Sequence, residues 1–182
     1  MLDVGSGDGQ LARLIVGKRS DVSIHGIDVR PRSDSAIPIE AFDGESIPYG
    51  EDSFDAVMLI DVLHHTDDPM ILLSEAVRVA RQMILIKDHM LQGAFAYSTL
   101  RFMDWVGNAH HDVALPYNYW TQAQWRDAFD NLRLVLDSWE SNLKVYPFPA
   151  DLIFSRSLHF IAALRVPTQK RNPSAELELS DR

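Results

Sequence analysis

The sequence contains no cysteine among its 182 residues. This absence excludes disulfide scaffolds, thiolate zinc sites and cysteine nucleophiles, and it suits a reducing compartment. There is also no apolar run of the roughly 18 residues that a membrane helix needs, because the longest run, residues 56–60, has the length of a strand. A basic-then-apolar leader is lacking as well. We therefore expect a cytoplasmic protein without a membrane partner.

Basic residues are few, since 17 lysines and arginines stand against 26 acidic residues, for a formal net charge of -9. Because affinity for a phosphate backbone needs a basic surface, we expect no nucleic-acid partner. The composition, 46% hydrophobic and 24% charged, is typical of a globular protein and argues against disorder. We predict one domain over residues 1–166. Residues 167–182 are polar and without periodicity, which predicts a mobile tail.

Strand and helix patterns alternate through most of the chain, which indicates an α/β fold of three layers with a mainly parallel sheet. Gly17 stands where it could end the first helix. Asp68 and Pro69 are predicted to cap and begin a later helix, and Thr121 with Gln124 forms a capping box for another that ends near residue 131. The predicted strands cover residues 1–4, 22–27, 38–42, 54–61, 83–87, 132–139 and 158–165, and an insert at 88–120 is predicted to carry a helix over 94–106.

The segment that follows the first predicted strand, residues 5–9, is rich in glycine and opens a helix. In a parallel sheet, ligands bind at the carboxyl ends of the strands, and glycine lets them approach the backbone. Asp28 ends the next predicted strand, where a carboxylate can accept both hydroxyls of a ribose. The dinucleotide fingerprint is G-x-G-x-x-G, but the spacing here is G-x-G-x-G, and Asp3 and Asp8 add carboxylates that disfavour a pyrophosphate. The pattern predicts a nucleoside cofactor that carries a positive charge.

In these features the sequence resembles the class I S-adenosylmethionine-dependent methyltransferases, in particular the type 11 group that acts on small molecules. The first strand of that family ends in an acidic residue followed by G-x-G-x-G, as in residues 3–9, and its second strand ends in an acidic residue, as at Asp28. The segments D-G-E-S-I-P-Y at 43–49, S-F-D at 53–55 and L-H-H at 63–65 continue the resemblance over about residues 1–90. The sequence differs from the family at the turn before the fifth strand, where the usual K-P-G-G is missing.

The resemblance implies a Rossmann-like three-layer sandwich with a mostly parallel seven-stranded sheet and an antiparallel last strand, in which the helices that normally precede the first strand are missing. It also implies S-adenosyl-L-methionine as cofactor and S-adenosyl-L-homocysteine as product. Asp3 would hold the ammonium group, Asp28 the ribose and Asp43 the adenine amino group, with Val29 and Phe42 beside the ring. The implied cofactor residues are Asp3, Gly5, Ser6, Gly7, Gly9, Asp28, Val29, Phe42, Asp43, Gly44, Asp61 and His64. Without the resemblance, Asp28 fits a loop carboxylate and Asp43 a turn residue.

The insert at 88–120 forms the acceptor pocket in this family, so its aromatic residues are candidates for the wall of such a pocket, although several fit a hydrophobic core equally well. His89 is the candidate base, because an imidazole can take a proton from a hydroxyl near neutral pH. The predicted substrate-pocket residues are His65, Tyr97, Phe102, Trp105, Tyr117 and Tyr119.

The histidines do not predict a metal site. His64 and His65 are adjacent, so on an extended chain their side chains point apart and cannot easily share an ion. The cluster His110, His111 and Asp112 lacks the i, i+4 spacing that would support one. We therefore expect no metal.

The predicted function is transfer of a methyl group from S-adenosylmethionine to an oxygen, nitrogen or carbon of a small molecule, in an in-line displacement that depends on positioning. One alternative is an NAD(P)-dependent oxidoreductase, which the glycine spacing disfavours. The other is a non-catalytic module of the same fold that binds a cofactor or a partner, and a turnover assay separates it from an enzyme.

Overall fold

The computed structural model describes residues 1–108, 115–141, 143, 145–155 and 157–167. The predicted tail beyond Pro167 and the cluster His110, His111 and Asp112 lie outside these residues. The described part of the chain contains strands β1 (Leu2–Val4), β2 (His25–Asp28), β3 (Ile39–Ala41), β4 (Phe54–Ile60), β5 (Ala80–His89), β6 (Val135–Glu140) and β7 (His159–Arg165). They form one sheet in the order β3-β2-β1-β4-β5-β7-β6.

The sheet is parallel from β3 through β5, whereas β7 runs antiparallel to both β5 and β6. This topology confirms the predicted Rossmann-like fold with an antiparallel last strand. Strand β1 pairs with β2 on one side and with β4 on the other, so the strand order reverses at this point. Ligands of open α/β sheets bind at such a reversal, outside the carboxyl ends of the strands.

The helices of the described residues are α1 (Gln10–Lys18), α2 (Pro69–Val79), α3 (Ala96–Asn108), α4 (Gln122–Asn131) and α5 (Asp151–Phe154), with a 3-10 turn at Leu63–His65. Both predicted caps are confirmed. The Asp68 carboxylate accepts a hydrogen bond from the Met70 amide at 2.9 Å, and the capping box of Thr121 and Gln124 is complete. None of these helices combines the length and the apolar character that crossing a membrane requires.

The core lies where the central strands meet α2. Strand β4 is apolar from Ala56 to Ile60, and Val57, Met58 and Leu59 are all buried because both faces of the strand are covered. Helix α2 buries the apolar side chains Leu72, Leu73, Ala76 and Val79 in the same cluster. Polar side chains of the central strands are therefore concentrated at the strand ends, where the candidate site is found.

Several predicted boundaries were wrong. Gly17 does not end α1, which continues to Lys18 with Arg19 as its cap; a glycine at this exposed position costs only about 1 kcal/mol, so the helix tolerates it. Strand β2 begins at His25, later than predicted, and β5 begins at Ala80, directly after α2. Ala80 pairs with Phe54, which explains why no turn separates this helix from its strand. The short helix α5 was not predicted.

Candidate functional site

The glycine loop connects β1 to α1 at the reversal of the strand order. The amides of Gly5 and Ser6 both donate to the Ile27 carbonyl, at 2.8 and 3.1 Å, which fixes the loop against the end of β2. Gly5, Gly7 and Gly9 have φ values of 73°, 58° and 72°. This left-handed conformation strains any residue with a Cβ, so glycine is required for the turn.

The three glycines face different surroundings. A Cβ on Gly5 would overlap the side chain of Val62, and a Cβ on Gly9 would lie 2.8 Å from Cγ1 of Ile37. A Cβ on Gly7 would meet no atom within 4 Å. Gly5 and Gly9 are therefore needed for packing within the protein, whereas Gly7 faces open space.

Asp28 lies at the end of β2 and joins the strand to the glycine loop. One carboxylate oxygen accepts from the Gly7 amide and the other from the Arg30 amide, each at 2.8 Å. Each oxygen has a second lone pair, so these bonds leave room for ribose hydroxyls. The structure thus brings Asp28 to the loop, and its role toward a ribose stays a prediction.

Asp3 is the buried carboxylate of the site, with 3% of its surface exposed. Burial raises the pKa of Asp3 to about 6, with the Ser6 hydroxyl opposing the shift and the charge of Asp28 adding to it. A positively charged ligand group beside Asp3 would offset the cost of burying this charge. The position suits the ammonium group that the sequence resemblance assigns to it.

The raised pKa of Asp3 leads to a testable effect on stability. The stability present below the ordinary pKa of 3.8 is lost as the pH rises through about 6, because the folded protein then holds a buried charge. We expect Asp3→Asn to raise the free energy of unfolding of the ligand-free protein by about 1 to 3 kcal/mol at pH 7.5 and to change it little at pH 4. The same variant should bind S-adenosylhomocysteine more weakly.

Urea denaturation at the two pH values, together with calorimetry, measures both effects. Asp34→Asn, at an exposed loop position, is the matched control and should change neither. A loss of stability at pH 7.5 would contradict this account of Asp3.

The residues predicted to bind adenine lie beside the ends of β2 and β3. The Phe42 amide donates to the Asp28 carbonyl at 3.1 Å, and Gly44 lies against Val29, since a Cβ on this glycine would be 3.1 Å from Cγ1 of Val29. The Asp43 carboxylate accepts from the amides of Ser46 and Glu45, which lowers the pKa of Asp43. The structure brings these four predicted residues together at one edge of the sheet, next to the glycine loop.

A second group of polar residues lies where β4 and β5 end. Asp61 directly follows β4 with φ 55°, and both of its carboxylate oxygens accept from Nζ of Lys87, at 2.6 and 2.5 Å. The 3-10 turn that follows places the rings of His64 and His65 with centroids 4.0 Å apart. The expectation that these two histidines point apart was therefore wrong, because it assumed an extended chain.

Asp88 is the fully buried centre of this group. Its carboxylate accepts from the amides of Leu63 and His89, at 3.0 and 2.6 Å, and contacts Nδ1 of His64 at 2.6 Å. Burial opposes the charge of Asp88, but the contacts with His64 and His89 outweigh it and lower the pKa of Asp88. Burial likewise opposes a charge on His64, but Asp88, Asp104 and Asp61 outweigh it and raise the pKa of His64.

Asp104, on α3, faces the Nε2 side of both imidazoles, whereas Asp88 lies on their Nδ1 side. Its carboxylate oxygens lie 3.7 Å from Nε2 of His64 and 3.6 Å from Nε2 of His89, and one of them accepts from the Tyr119 hydroxyl at 2.5 Å. Burial, together with this hydrogen bond, raises the pKa of Tyr119. Nδ1 of His89 lies 3.1 Å from Nδ1 of His64. Sequence reasoning did not find Asp104, because no motif links α3 to the strand ends.

These residues surround a cavity of about 260 Å³, lined by Asp61, His64, His65, Lys87, His89, Met103, Asp104, Gly107, Tyr146 and His159. His159 is 2% exposed, and neither ring nitrogen makes a hydrogen bond to another described residue. Burial, with the charge of Lys87, lowers the pKa of His159 to about 4, a shift that the nearby Phe154 backbone opposes. His159 was missed by the sequence analysis because it follows no recognisable pattern at the start of β7.

Of the six residues predicted to form the substrate pocket, only His65 lines this cavity. Tyr119 lies behind it, bonded to Asp104. Tyr97, Phe102 and Trp105 are exposed on α3, and Phe102 stacks on Phe154 with centroids 6.3 Å apart. Tyr117 lies under the Arg101 guanidinium at 4.8 Å. Their roles toward an acceptor stay predictions.

Comparison with known proteins shows which proteins this chain resembles. The sequence matches the family described as methyltransferase domain over residues 2–83, and a comparison with curated proteins found no match. A proposed methyltransferase from Bacillus halodurans is 17% identical, with 92% of each chain covered and a TM-score of 0.63. Geranyl diphosphate C-methyltransferase from Streptomyces coelicolor A3(2), solved with Mg2+, geranyl diphosphate and S-adenosyl-L-homocysteine, is 13% identical, with 91% of this chain and 72% of that chain covered and a TM-score of 0.65.

A proposed methyltransferase of Haloferax volcanii, solved with the Trm112 methyltransferase activator, is 18% identical, with 91% of this chain and 81% of that chain covered and a TM-score of 0.63. At these identities the structural neighbours show the fold, and the family match covers the segment that holds the glycine loop. The chain therefore has the fold of these methyltransferases, and its residues 2–83 match the methyltransferase-domain family.

Proposed function

We propose that this protein transfers a methyl group from S-adenosyl-L-methionine to a small-molecule acceptor. The observation that carries the proposal is the open space over Gly7, in a loop that follows a buried carboxylate, Asp3, and is hydrogen-bonded to the carboxylate of Asp28. This arrangement fits a ligand with a cationic end and a ribose. It does not favour a pyrophosphate, which would meet two carboxylates.

Different residues of the site contact different parts of the ligand. Asp3 and the loop of residues 5–9 hold the amino-acid end, and Asp28 accepts from the ribose hydroxyls. Val29, Phe42 and Asp43, with the adjacent Gly44, contact the adenine. Asp61 and His64 lie at the end of β4, beside β1, where the reacting end of the ligand faces the cavity of about 260 Å³.

The acceptor binds in this cavity, so its nucleophilic atom approaches the methyl group from the β4 and β5 side. When bound, the sulfonium cofactor supplies a methyl carbon that is already activated for displacement. The acceptor atom bonds to this carbon while the carbon–sulfur bond breaks and its electron pair stays on sulfur. Holding the two reactants in line is the main contribution that the protein has to make.

A hydroxyl acceptor must also lose a proton, and His89 is the proposed base. Its ring lines the cavity, 3.1 Å from His64 on one side and 3.6 Å from Asp104 on the other. The carboxylate of Asp104 would stabilise the imidazolium that forms when His89 accepts the proton. The lining of the cavity is largely polar, so we propose an acceptor with a polar reacting group.

Calorimetry with S-adenosylhomocysteine and with NAD tests the cofactor proposal. We expect binding of the first and no binding of the second; the reverse would favour the oxidoreductase alternative. Incubation with methyl-labelled S-adenosylmethionine and a panel of phenols, amines and enols then tests turnover. Cofactor binding without transfer to any acceptor, including small molecules released from the purified protein, would favour the non-catalytic alternative.

A further inference from the structure

We propose that Asp61, His64, Asp88 and His89 form a binding site for a divalent transition-metal ion of the zinc type. Each residue offers one ligand atom, and the four atoms all lie within 4.8 Å of one another. The site occupies the carboxyl ends of β4 and β5, beside the cavity proposed for the acceptor.

The distances between the donor atoms match a shared ion. Nδ1 of His64 lies 3.1 Å from Nδ1 of His89 and 2.6 Å from Oδ1 of Asp88. Nδ1 of His89 lies 3.6 Å from the same Asp88 oxygen and 3.9 Å from Oδ1 of Asp61. An ion bound at about 2.0 to 2.2 Å from each ligand separates neighbouring ligand atoms by about 3.3 to 3.6 Å, so shifts of about 1 Å bring the four atoms to tetrahedral spacing. Two imidazoles and two carboxylates favour zinc and its neighbours over magnesium.

The far side of each imidazole is arranged as in a metal site. Histidines that bind a metal usually donate their other N–H to a carboxylate, which fixes the ring. Here Nε2 of both His64 and His89 faces the same carboxylate, Asp104, at 3.7 and 3.6 Å. The hydroxyl of Tyr119 holds Asp104 in place.

His159 provides an independent observation. It is buried and lines the same cavity, and its ring centroid lies 4.9 Å from that of His89. Neither of its ring nitrogens has a hydrogen-bond partner among the described residues, although burying an unpaired polar group is costly. An acceptor bound to the ion would supply the missing partner.

The charges of the site are also suited to a divalent ion. Asp61, Asp88 and Asp104 bring three negative charges, and Lys87 compensates one of them through its ion pair with Asp61. Asp61 has two oxygens, so one can bind the ion while the other keeps its bond to Lys87. The remaining two negative charges match the charge of the ion.

The expected role of the ion rests on the proposed function. With the four protein ligands in place, it would take the acceptor's oxygen as a fifth ligand, an expansion that zinc allows, and acidify its hydroxyl, so the proton could leave to solvent without a protein base. His89 would then be a ligand in the loaded protein, because its Nδ1 lone pair is used by the ion. The inference therefore favours an oxygen acceptor, such as a phenol or an enol.

Titration of the chelator-treated, full-length protein with Zn2+ tests the site. We expect one ion per chain, a rise in melting temperature on binding, and an absorption spectrum of four-coordinate Co2+ when cobalt replaces zinc. His64→Ala and His89→Ala should lose the cobalt spectrum, and Asp104→Asn should weaken binding by about 10- to 100-fold. The control His25→Ala, at a partly exposed residue that pairs with Glu40, should bind as the unaltered protein does.

Two results would overturn the proposal. One is the absence of stoichiometric binding; the other is binding that the His64 and His89 variants keep or that the His25 control loses. Circular dichroism shows whether each variant is folded. If a histidine variant does not fold, Asp104→Asn still tests the site, because it retains all four ligands. Calorimetry with S-adenosylhomocysteine on the metal-free protein is a separate readout. The absence of S-adenosylhomocysteine binding alone contradicts the proposed function, whereas the absence of metal binding alone contradicts only the metal site.

Discussion

Gly5→Ala is expected to lower the free energy of unfolding by about 2 to 4 kcal/mol. The φ of 73° strains alanine by about 1 to 2 kcal/mol, and the new Cβ overlaps Val62, whose branched side chain cannot move away without disturbing its packing. Denaturation in urea measures the loss. Gly17→Ala, in the exposed part of α1, is the control and should raise stability by up to about 1 kcal/mol.

The Val62 contact can be tested separately from the backbone strain. In the double variant Gly5→Ala with Val62→Ala, the overlapping methyl groups are gone, so part of the lost stability should return relative to the sum of the single variants. We expect a coupling of about 1 to 2 kcal/mol. Simple additivity would show that the overlap does not cause the destabilisation.

Gly7→Ala should give a different result from Gly5→Ala. Its Cβ meets no protein atom, so only the strain of φ 58°, about 1 kcal/mol, reduces stability. The same Cβ enters the space proposed for the cofactor, and binding of S-adenosylhomocysteine should weaken at least tenfold, by about 1.4 kcal/mol or more. Unchanged affinity in a folded Gly7→Ala variant would show that the ligand does not bind at this loop.

Asp28→Ala should weaken binding of S-adenosylhomocysteine by about 1 to 3 kcal/mol, since it removes a charged acceptor. The effect has two sources, because the carboxylate holds the Gly7 amide and is also proposed to accept from the ribose. Calorimetry on Asp28→Ala, with Asp137→Ala as the control at the other side of the sheet, measures the total.

An S-adenosylhomocysteine analogue without the two ribose hydroxyls separates these sources. The unaltered protein should bind the analogue more weakly than the parent compound, whereas Asp28→Ala should bind both alike. If the variant still discriminates between them as strongly as the unaltered protein, Asp28 supports only the loop, and the ribose is bound elsewhere.

The first half of the site could be predicted because its residues are close in sequence. The glycine loop, Asp3 and Asp28 belong to two neighbouring strands, and the spacing of the motif specifies both the turn and the edge of the sheet on which they lie. The caps at Asp68 and Thr121 are local as well, since the side chain bonds to an amide two or three residues away. Gly17 shows the limit of such reasoning, because a glycine that is tolerated in a helix has the same sequence pattern as one that ends it.

The second half of the site depends on contacts that are distant in sequence. Asp104, on α3, lies near both His64 and His89, and His159, on β7, contacts His89; neither Asp104 nor His159 belongs to a motif. The aromatic residues of the insert could not be divided into exposed and buried ones, because Trp105 and Tyr119 have the same apolar character in the sequence. Only the packing of α3 exposes Trp105 and buries Tyr119 against Asp104.

The sequence by itself determined the order of the strands and of the longer helices, and the turn at the glycines. These properties depend on backbone sterics, apolar periodicity and side chains only a few residues apart, all of which are local. The tertiary structure alone brought together the cluster of Asp61, His64, Asp88 and His89. It also placed Asp104 and His159 against the histidines of this cluster. The physical reason is that these side chains meet only after parallel and antiparallel strands have paired and buried them, and no local rule encodes that contact.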